Sequence, residues 1–277
     1  MQMAQGHFQS IGTIEKEHAA AGITAITVET NIGHIKIEPG SSSNIQIVAE
    51  VHVLEDLSEQ VAPANAERDL HVQQQDSRLL IANAHLKASD SNNWRVDLTV
   101  RVPALTSVTA STGIGDVDAN GDYERAELRT GTGDITSSGD IAELTATTGV
   151  GSLELSGAYD QATIKSGTGS IDLTSAQLGS ATLVTGIGDL SISAGKGPTG
   201  KLSCTSGTGS IRVELAATWS GEFEATTGTG SLKLPADLAT SHTGRGPGAR
   251  ASGRRGSAAA EITLKTGIGS ITWQDRP

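Results

Sequence analysis

The sequence predicts an all-β protein: a β-solenoid, or parallel β-helix, with coils of about 18 to 21 residues and two short strands per coil. A recurring phrase, its spacing and a set of aligned apolar columns predict it. The phrase is Ser/Thr-Gly-x-Gly-(Asp/Ser)-aliphatic, as in Thr130-Gly131-Thr132-Gly133-Asp134-Ile135. Its glycine pairs are Gly113/Gly115, Gly131/Gly133, Gly149/Gly151, Gly167/Gly169, Gly186/Gly188, Gly207/Gly209, Gly228/Gly230 and Gly267/Gly269. Successive copies lie 18, 18, 18, 19, 21, 21 and 39 residues apart, a period too short for helical repeats.

A solenoid requires the same column of every coil to face the core. Before the turn, Ala110, Leu128, Ala146, Ile164, Leu183, Cys204, Ala225 and Leu264 form one apolar column. Val108, Ala126, Leu144, Ala162, Ala181, Leu202, Phe223 and Ile262 form a second. After the turn, Val117, Ile135, Leu153, Ile171, Leu190, Ile211, Leu232 and Ile271 are wholly aliphatic, and Ala119, Ser137, Leu155, Leu173, Ile192, Val213, Leu234 and Trp273 follow two residues later. The residues between are polar in nearly every coil, which is the period-two pattern of strands. Parity changes across Gly-x-Gly, so the corner absorbs an extra residue, and glycine supplies the backbone freedom for it. The Asp or Ser that follows caps the turn by accepting from a nearby amide. At about 4.8 Å per coil, eight consecutive coils would make a rod about 35 to 40 Å long.

Residues 1–22 contain no apolar h-region and are read as an N-terminal tail, whose small residues near Gly6 resemble the end of a cleaved leader. Residues 23–107 hold a first coil and a β capping region. Ile26, Val28, Thr30, Ile32, Ile35 and Ile37 fill the repeat columns, with Asn31 in place of the first glycine, a residue that suits left-handed backbone. A strand from Ile45 to Val53 follows, then a short helix over Glu55 to Gln60. A hairpin over Leu70 to Asn83 turns at Asp76-Ser77, and a strand runs from Val96 to Val102, ended by Pro103. These longer strands cover an end that would otherwise present an open edge. Residues 108–277 carry the repeats, interrupted at 239–258 by a Gly/Ser-rich segment with Arg245, Arg250, Arg254 and Arg255 and no acid. That segment reads as a mobile loop, and its arginines are the candidate partner-binding residues, for an anionic polymer or acidic partner.

The 277 residues carry a net charge of −11, which argues against wrapping nucleic acid, and no run of 18 apolar residues. The single Cys204 excludes an internal disulfide and falls in an inward column. Gly195-Lys196-Gly197-Pro198-Thr199-Gly200-Lys201-Leu202 approaches a phosphate-binding loop, but Leu202 replaces the Ser/Thr that would hold magnesium, and a repeat strand follows where a helix is required. The Gly-x-Gly phrases lack the third glycine of a dinucleotide fingerprint. Calcium, as in β-rolls, needs several carboxylates, whereas Asp116, Asp134 and Asp189 alternate with Ser152, Ser170, Ser210, Ser231 and Ser270. Scattered histidines give no zinc spacing, so no metal or cofactor is expected. Partial ranks such as Thr130/Thr132 and Thr227/Thr229 raise ice binding, interrupted by Ile114, Val150, Ile187 and Ile268. Outward Glu127, Arg129, Glu154, Lys165 and Asp172 raise polysaccharide cleavage. Sugar-stacking aromatics are nearly absent from the repeats, and Trp219, Phe223 and Trp273 read as core or cap residues.

The repeated Thr-Gly-x-Gly-(Asp/Ser)-Ile phrases, preceded by Val96-Asp97-Leu98-Thr99-Val100-Arg101-Val102-Pro103, resemble the bacterial putative-adhesin family of β-strand-repeat proteins, a domain of unknown function. The resemblance covers about Ile23 to Trp273. It implies a β-solenoid, export or membrane tethering, with the periplasm or cell surface as the place, and it carries over no established catalytic residues; a surface polysaccharide or another protein is the partner expected. The expectation is therefore a non-enzymatic structural or adhesive module, with a polysaccharide-acting β-helix enzyme as the alternative and ice or calcium binding behind it.

Overall fold

The computed structural model describes residues 8–40, 43–54, 70–83, 94–103, 107–236, 238, 248–257 and 259–276, and every regular element among them is a β-strand. The expected helix over Glu55 to Gln60 lies outside the described residues. Two compact units divide the chain, Met1–Gly133 and Asp134–Pro277.

In the first unit the strands are β1 (Phe8–Ala19), β2 (Ala25–Ile32), β3 (Ile35–Pro39), β4 (Asn44–Leu54), β5 (His71–Gln75), β6 (Arg78–Asn83), β7 (Trp94–Val102), β8 (Ser107–Ile114), β9 (Val117–Asn120) and β10 (Tyr123–Thr132). Parallel, in-register pairing runs β6–β2–β8–β10 along one side of the coils and β7–β3–β9 along another. The first coil in sequence, β2 and β3, thus lies between the coil of β6 and β7 and the coil of β8 and β9. Beyond β7 the pairing turns antiparallel, to β4 and then to β1. Phe8–Ala19, expected to be tail, is therefore a strand. The hairpin forms as expected, β5 on β6, turning at Asp76 with φ 54°.

The second unit holds β11 (Ile135–Ser138), β12 (Ile141–Val150), β13 (Leu153–Thr168), β14 (Ile171–Ile187), β15 (Leu190–Ala194), β16 (Lys201–Thr208), β17 (Ile211–Ala216), β18 (Gly221–Thr229), β19 (Leu232–Lys233), β20 (Ala249–Arg255), β21 (Ala260–Ile268) and β22 (Ile271–Arg276). Here too the stack departs from sequence order. β16 pairs with β21, and β21 pairs in turn with β18, so the last coil in sequence sits between the two before it. On the other side β22 lies between β17 and β19. The terminal coil is locked by a neighbour on each face, and the coil it displaces is outermost: Leu232 and Leu234 are half-buried while Trp273 is buried.

The predicted columns are otherwise inward, with Leu153 and Ile171 direct neighbours and both about 1% exposed. A further inward column escaped the repeat phrase: Ile141, Tyr159 and Leu178 stack in β12, β13 and β14, and Tyr123 fills the same place in the first unit. Burial raises the Tyr123 phenol to about 12, with Asp122 adding to it. Trp219 and Phe223 pack on Trp273 with ring centroids 5.2 and 5.7 Å away, which makes these aromatics core.

The turn phrase resolves into four separate requirements. The second glycine, not the first, takes left-handed-side backbone: Gly33, Gly115, Gly133, Gly151, Gly169, Gly188, Gly209, Gly230 and Gly269 have φ of 142 to 152°. Asn31 at a first-glycine position is therefore not there for positive φ, since Asp76 alone of the described non-glycine residues adopts it. The first glycine is needed for closeness instead, because a Cβ on Gly167 would lie 2.5 Å from the Gly149 carbonyl oxygen. The Ser/Thr that opens the phrase is buried, and its hydroxyl donates to the second glycine's carbonyl on the adjoining coil: Thr130 to Gly115 at 2.8 Å, Ser166 to Gly151 at 2.9 Å, Thr185 to Gly169 at 2.9 Å. These hydroxyls do not form a ladder of mutual bonds. The closing Asp or Ser caps as expected, but across coils: Asp134 Oδ1 accepts from the Ser152 amide at 2.7 Å and Asp189 Oδ1 from the Ser210 amide at 2.7 Å.

Candidate functional site

The segment read as a loop contains β20, which pairs antiparallel with β18 from Gly221↔Arg255 to Thr227↔Ala249. Reading 239–258 as one loop is corrected by this pairing: alternation of Arg250, Ser252 and Arg254 with the inward Ala251 is a strand pattern that the Gly/Ser-rich composition masked. Arg245 lies outside the described residues.

Each described arginine meets a carboxylate of its own chain. Arg254 Nη1 is 3.4 Å from Glu222 on the directly opposed position, and Arg250 Nη2 is 3.3 Å from Glu224 on the diagonal. Arg255 turns inward and binds Asp275 of β22 through two bonds, 2.9 and 2.8 Å, with its side chain only 13% exposed. The Arg255–Asp275 pair ties β20 to β22, and the two exposed pairs lie along its seam with β18. The adjoining depression of about 440 Å³ is lined by Glu222, Glu224 and Glu261 together with Ser252 and Arg254, so acid outnumbers base there. The strip is charge-balanced, not a bare cationic surface.

The other candidates scatter. Arg129 Nε binds Glu127 within β10 at 2.7 Å. Glu154 and Asp172 are register neighbours on β13 and β14, both exposed, while Lys165 lies further along β13, past the register shift between Gly157 and Tyr159, level with Thr147 and Val184. Lys201, at the end of the glycine-rich Gly195–Gly200 stretch, opens β16 and pairs with Glu261 at 3.3 Å, so no helix N-terminus is available to a phosphate. The first glycine of each pair lies near the end of a strand, and the second forms the bend that follows. Cys204 is fully buried, and burial pushes its thiol up, out of the reactive range.

A polar cluster that the sequence did not announce crosses the sheet of the first unit. Asp97 receives the His34 amide at 2.7 Å and two bonds from Arg95 at 2.9 and 2.8 Å, and its Oδ2 lies 3.3 Å from His52 Nε2. His34 Nδ1 in turn accepts the Asp116 amide at 2.9 Å. Burial pushes the Asp97 carboxyl up, but the Arg95 guanidinium and the His34 amide outweigh it and hold the group below the ordinary carboxylate value. Register pairing of Asp97 with Glu50 joins β7 to β4, and His34, which directly precedes the Ile35↔Leu98 pair of β3 and β7, brings the third strand into the row. Among the described residues no group of His, Cys, Asp and Glu is arranged to hold a metal ion.

Residues 23–273 match the Toastrack family, DUF4097, a span from the first coil to the last. The chain belongs to that family. No curated protein matches it. Among solved structures, this Toastrack chain is similar to a putative adhesin from Bacteroides fragilis at 16% identity, over 95% of this chain and 97% of that one, with a TM-score of 0.56. It also aligns with a putative adhesin from Parabacteroides distasonis at 11% identity, over 94% and 97% of the two chains, with a TM-score of 0.44. The first likeness supports an all-β, β-solenoid-like Toastrack fold. No helix among the described residues is long and apolar enough to cross a membrane.

Proposed function

We propose that this Toastrack protein is a non-enzymatic structural or adhesive module that works outside the cytoplasm, in the periplasm or at the cell surface. In this reading coils of 18 to 21 residues form the scaffold, and β1, β4 and β20 act as antiparallel caps. The observation that carries it is where the polar groups of the repeat go. Buried hydroxyls of the phrase donate to glycine carbonyls, and Asp134 and Asp189 accept amides, all between coils. The recurrent Ser, Thr and Asp side chains of the repeat are thus spent on holding coils together. The B. fragilis putative adhesin of similar fold lends adhesion its support, by analogy of fold. A surface polysaccharide or another protein is the partner this reading implies.

Polysaccharide cleavage is favoured by one relationship, Glu154 beside Asp172 on adjacent coils. The core position of Trp219, Phe223 and Trp273 removes these aromatics from sugar stacking and weighs against it. Glycan-array binding followed by analysis for released product separates the two. Specific retention without product supports the module, whereas oligosaccharide release that Glu154→Gln abolishes would establish the enzyme in its place.

A further inference from the structure

The x residue of each Gly-x-Gly phrase stands at an outward corner with glycine on either side, so its side chain rises from bare backbone. In the second unit Val150, Ile187 and Ile268 are exposed there by 53, 58 and 58%. Exposed hydrophobics in soluble proteins are ordinarily scattered, and these three share a single structural position. In-register pairing places Val150 beside Thr168, Thr168 beside Ile187, Ile187 beside Thr208, Thr208 beside Ile268, and Ile268 beside Thr229. The ridge in space therefore alternates strictly, aliphatic then threonine, six uncharged β-branched side chains stiff at χ1. Sequence order would end Thr208, Thr229, Ile268. The insertion of β21 between β16 and β18 is what restores the alternation.

We infer that this ridge is a self-association surface, and that its occupant is a second copy of this chain docked antiparallel across a two-fold axis. The first argument is spacing. The knobs repeat at the strand separation, about 4.8 Å, and a second copy of the ridge repeats at the same interval, so two such series stay in step along their whole length. The second is reversal of the series. Turned end for end, Val150 faces the partner's Thr229, Thr168 faces the partner's Ile268, and Ile187 faces the partner's Thr208, so every larger side chain meets a smaller one. The stack in plain sequence order would set Val150 on the partner's Ile268 and Thr168 on the partner's Thr229, and only the Ile187 and Thr208 pairing would survive. The third is approach: flanking glycines carry no Cβ, which lets two ridges come close without backbone obstruction, as the dry faces of steric zippers do. The fourth is charge, because two copies at −11 each repel, and these six side chains supply an uncharged line of contact. An isologous contact this narrow falls below about 1,200 Å², the range of weak and reversible association.

Sedimentation equilibrium on the full chain tests it. Wild type should dimerise reversibly, with the dimer fraction rising with salt as repulsion is screened. The V150T/I187T/I268T variant, which extends the threonine already present at alternate positions, should keep its circular dichroism and melting temperature while its dimer dissociation constant rises about tenfold or more. A second readout uses single cysteines: Ile187→Cys mixed with Thr208→Cys should cross-link on oxidation, and Asp172→Cys with either should not, Cys204 being buried and silent. A wild type that stays monomeric at the highest concentrations, or a threonine variant that dimerises as well, would overturn the inference. So would equal cross-linking through Asp172→Cys. A monomeric wild type whose glycan binding is lost in the threonine variant would assign the ridge to a sugar polymer instead.

Discussion

Thr227 donates its hydroxyl to the carbonyl oxygen of Gly269 at 2.7 Å, across 42 residues of chain. In the coils of β12 to β14 the corresponding bond spans much less, 15 residues from Ser166 to Gly151 and 16 from Thr185 to Gly169. The same chemistry is served in each case, a hydroxyl reaching the second glycine of the adjoining coil. What differs is which coil adjoins. At the C-terminal end the adjoining coil is later in sequence, and Thr266 completes the relay by donating to Gly209 at 2.7 Å.

The corresponding bond from Thr185 to Gly169 isolates what one such hydroxyl contributes. Thr185 is 2% exposed, and Thr185→Val keeps its shape while leaving the Gly169 carbonyl short of a donor. The loss should be about 1 to 2 kcal/mol in urea denaturation. Thr182→Val, on an outward column of the same strand, should change stability by less than about 0.5 kcal/mol. Equal effects from the two substitutions would mean that the phrase's hydroxyl contributes nothing special.

The period and the alternation made the coils legible, because Val108, Ala110, Val117 and Ala119 repeat a burial pattern that any stacked strand must obey. Stacking order was not legible. Periodicity says that Ile262 and Leu264 face the core, but a parallel strand has the same inward columns whichever coil it pairs with, so nothing in the phrase distinguishes β16 from β18 as the neighbour of β21. The site suffered from a different ambiguity. Composition around Arg250 and Arg254 spoke for a loop, the alternation about Ala251 is short, and the partners that reveal the strand, Glu222 and Glu224, lie more than twenty residues upstream. The Asp97 cluster was hidden for the same reason, since His34 and His52 reach it by pairing across strands.

The arginines should separate by burial. Arg255 is held by Asp275 through two charge-assisted bonds in a half-buried setting, so Arg255→Ser strands the carboxylate and should cost about 2 kcal/mol. Arg250 and Arg254 are more than half exposed, and Arg250→Ser or Arg254→Ser should each fall within about 0.5 kcal/mol. Thermal melts of the three single variants decide it. A flat series would remove the anchoring role from Arg255, and a large loss at Arg250 would show that surface pairing sets the strand.

Deleting residues 260–276 should do more than shorten the stack. In a serial arrangement the last coil is an outer layer, and losing it uncovers only the coil beneath. Here β21 is the parallel neighbour of both β16 and β18, and β22 stands between β17 and β19, so the deletion takes the seat from under an outer coil that stays in the chain. β18 would keep only its antiparallel partner β20, and an isolated two-stranded pair is marginal in water. Trp273 leaves with the deleted segment, so Trp219 and Phe223 lose the ring that packs them. Hydrogen exchange should then show the amides of Phe223 to Thr229 falling to the rates of exposed backbone, while Leu153 to Leu155 and Ile171 to Leu173 keep their protection. Should Phe223 to Thr229 stay protected in the truncated chain, β18 must have moved onto β16, with Thr227 bonding Gly209 in place of Gly269. That result would mean the threaded order adds little to the stability of the outer coil.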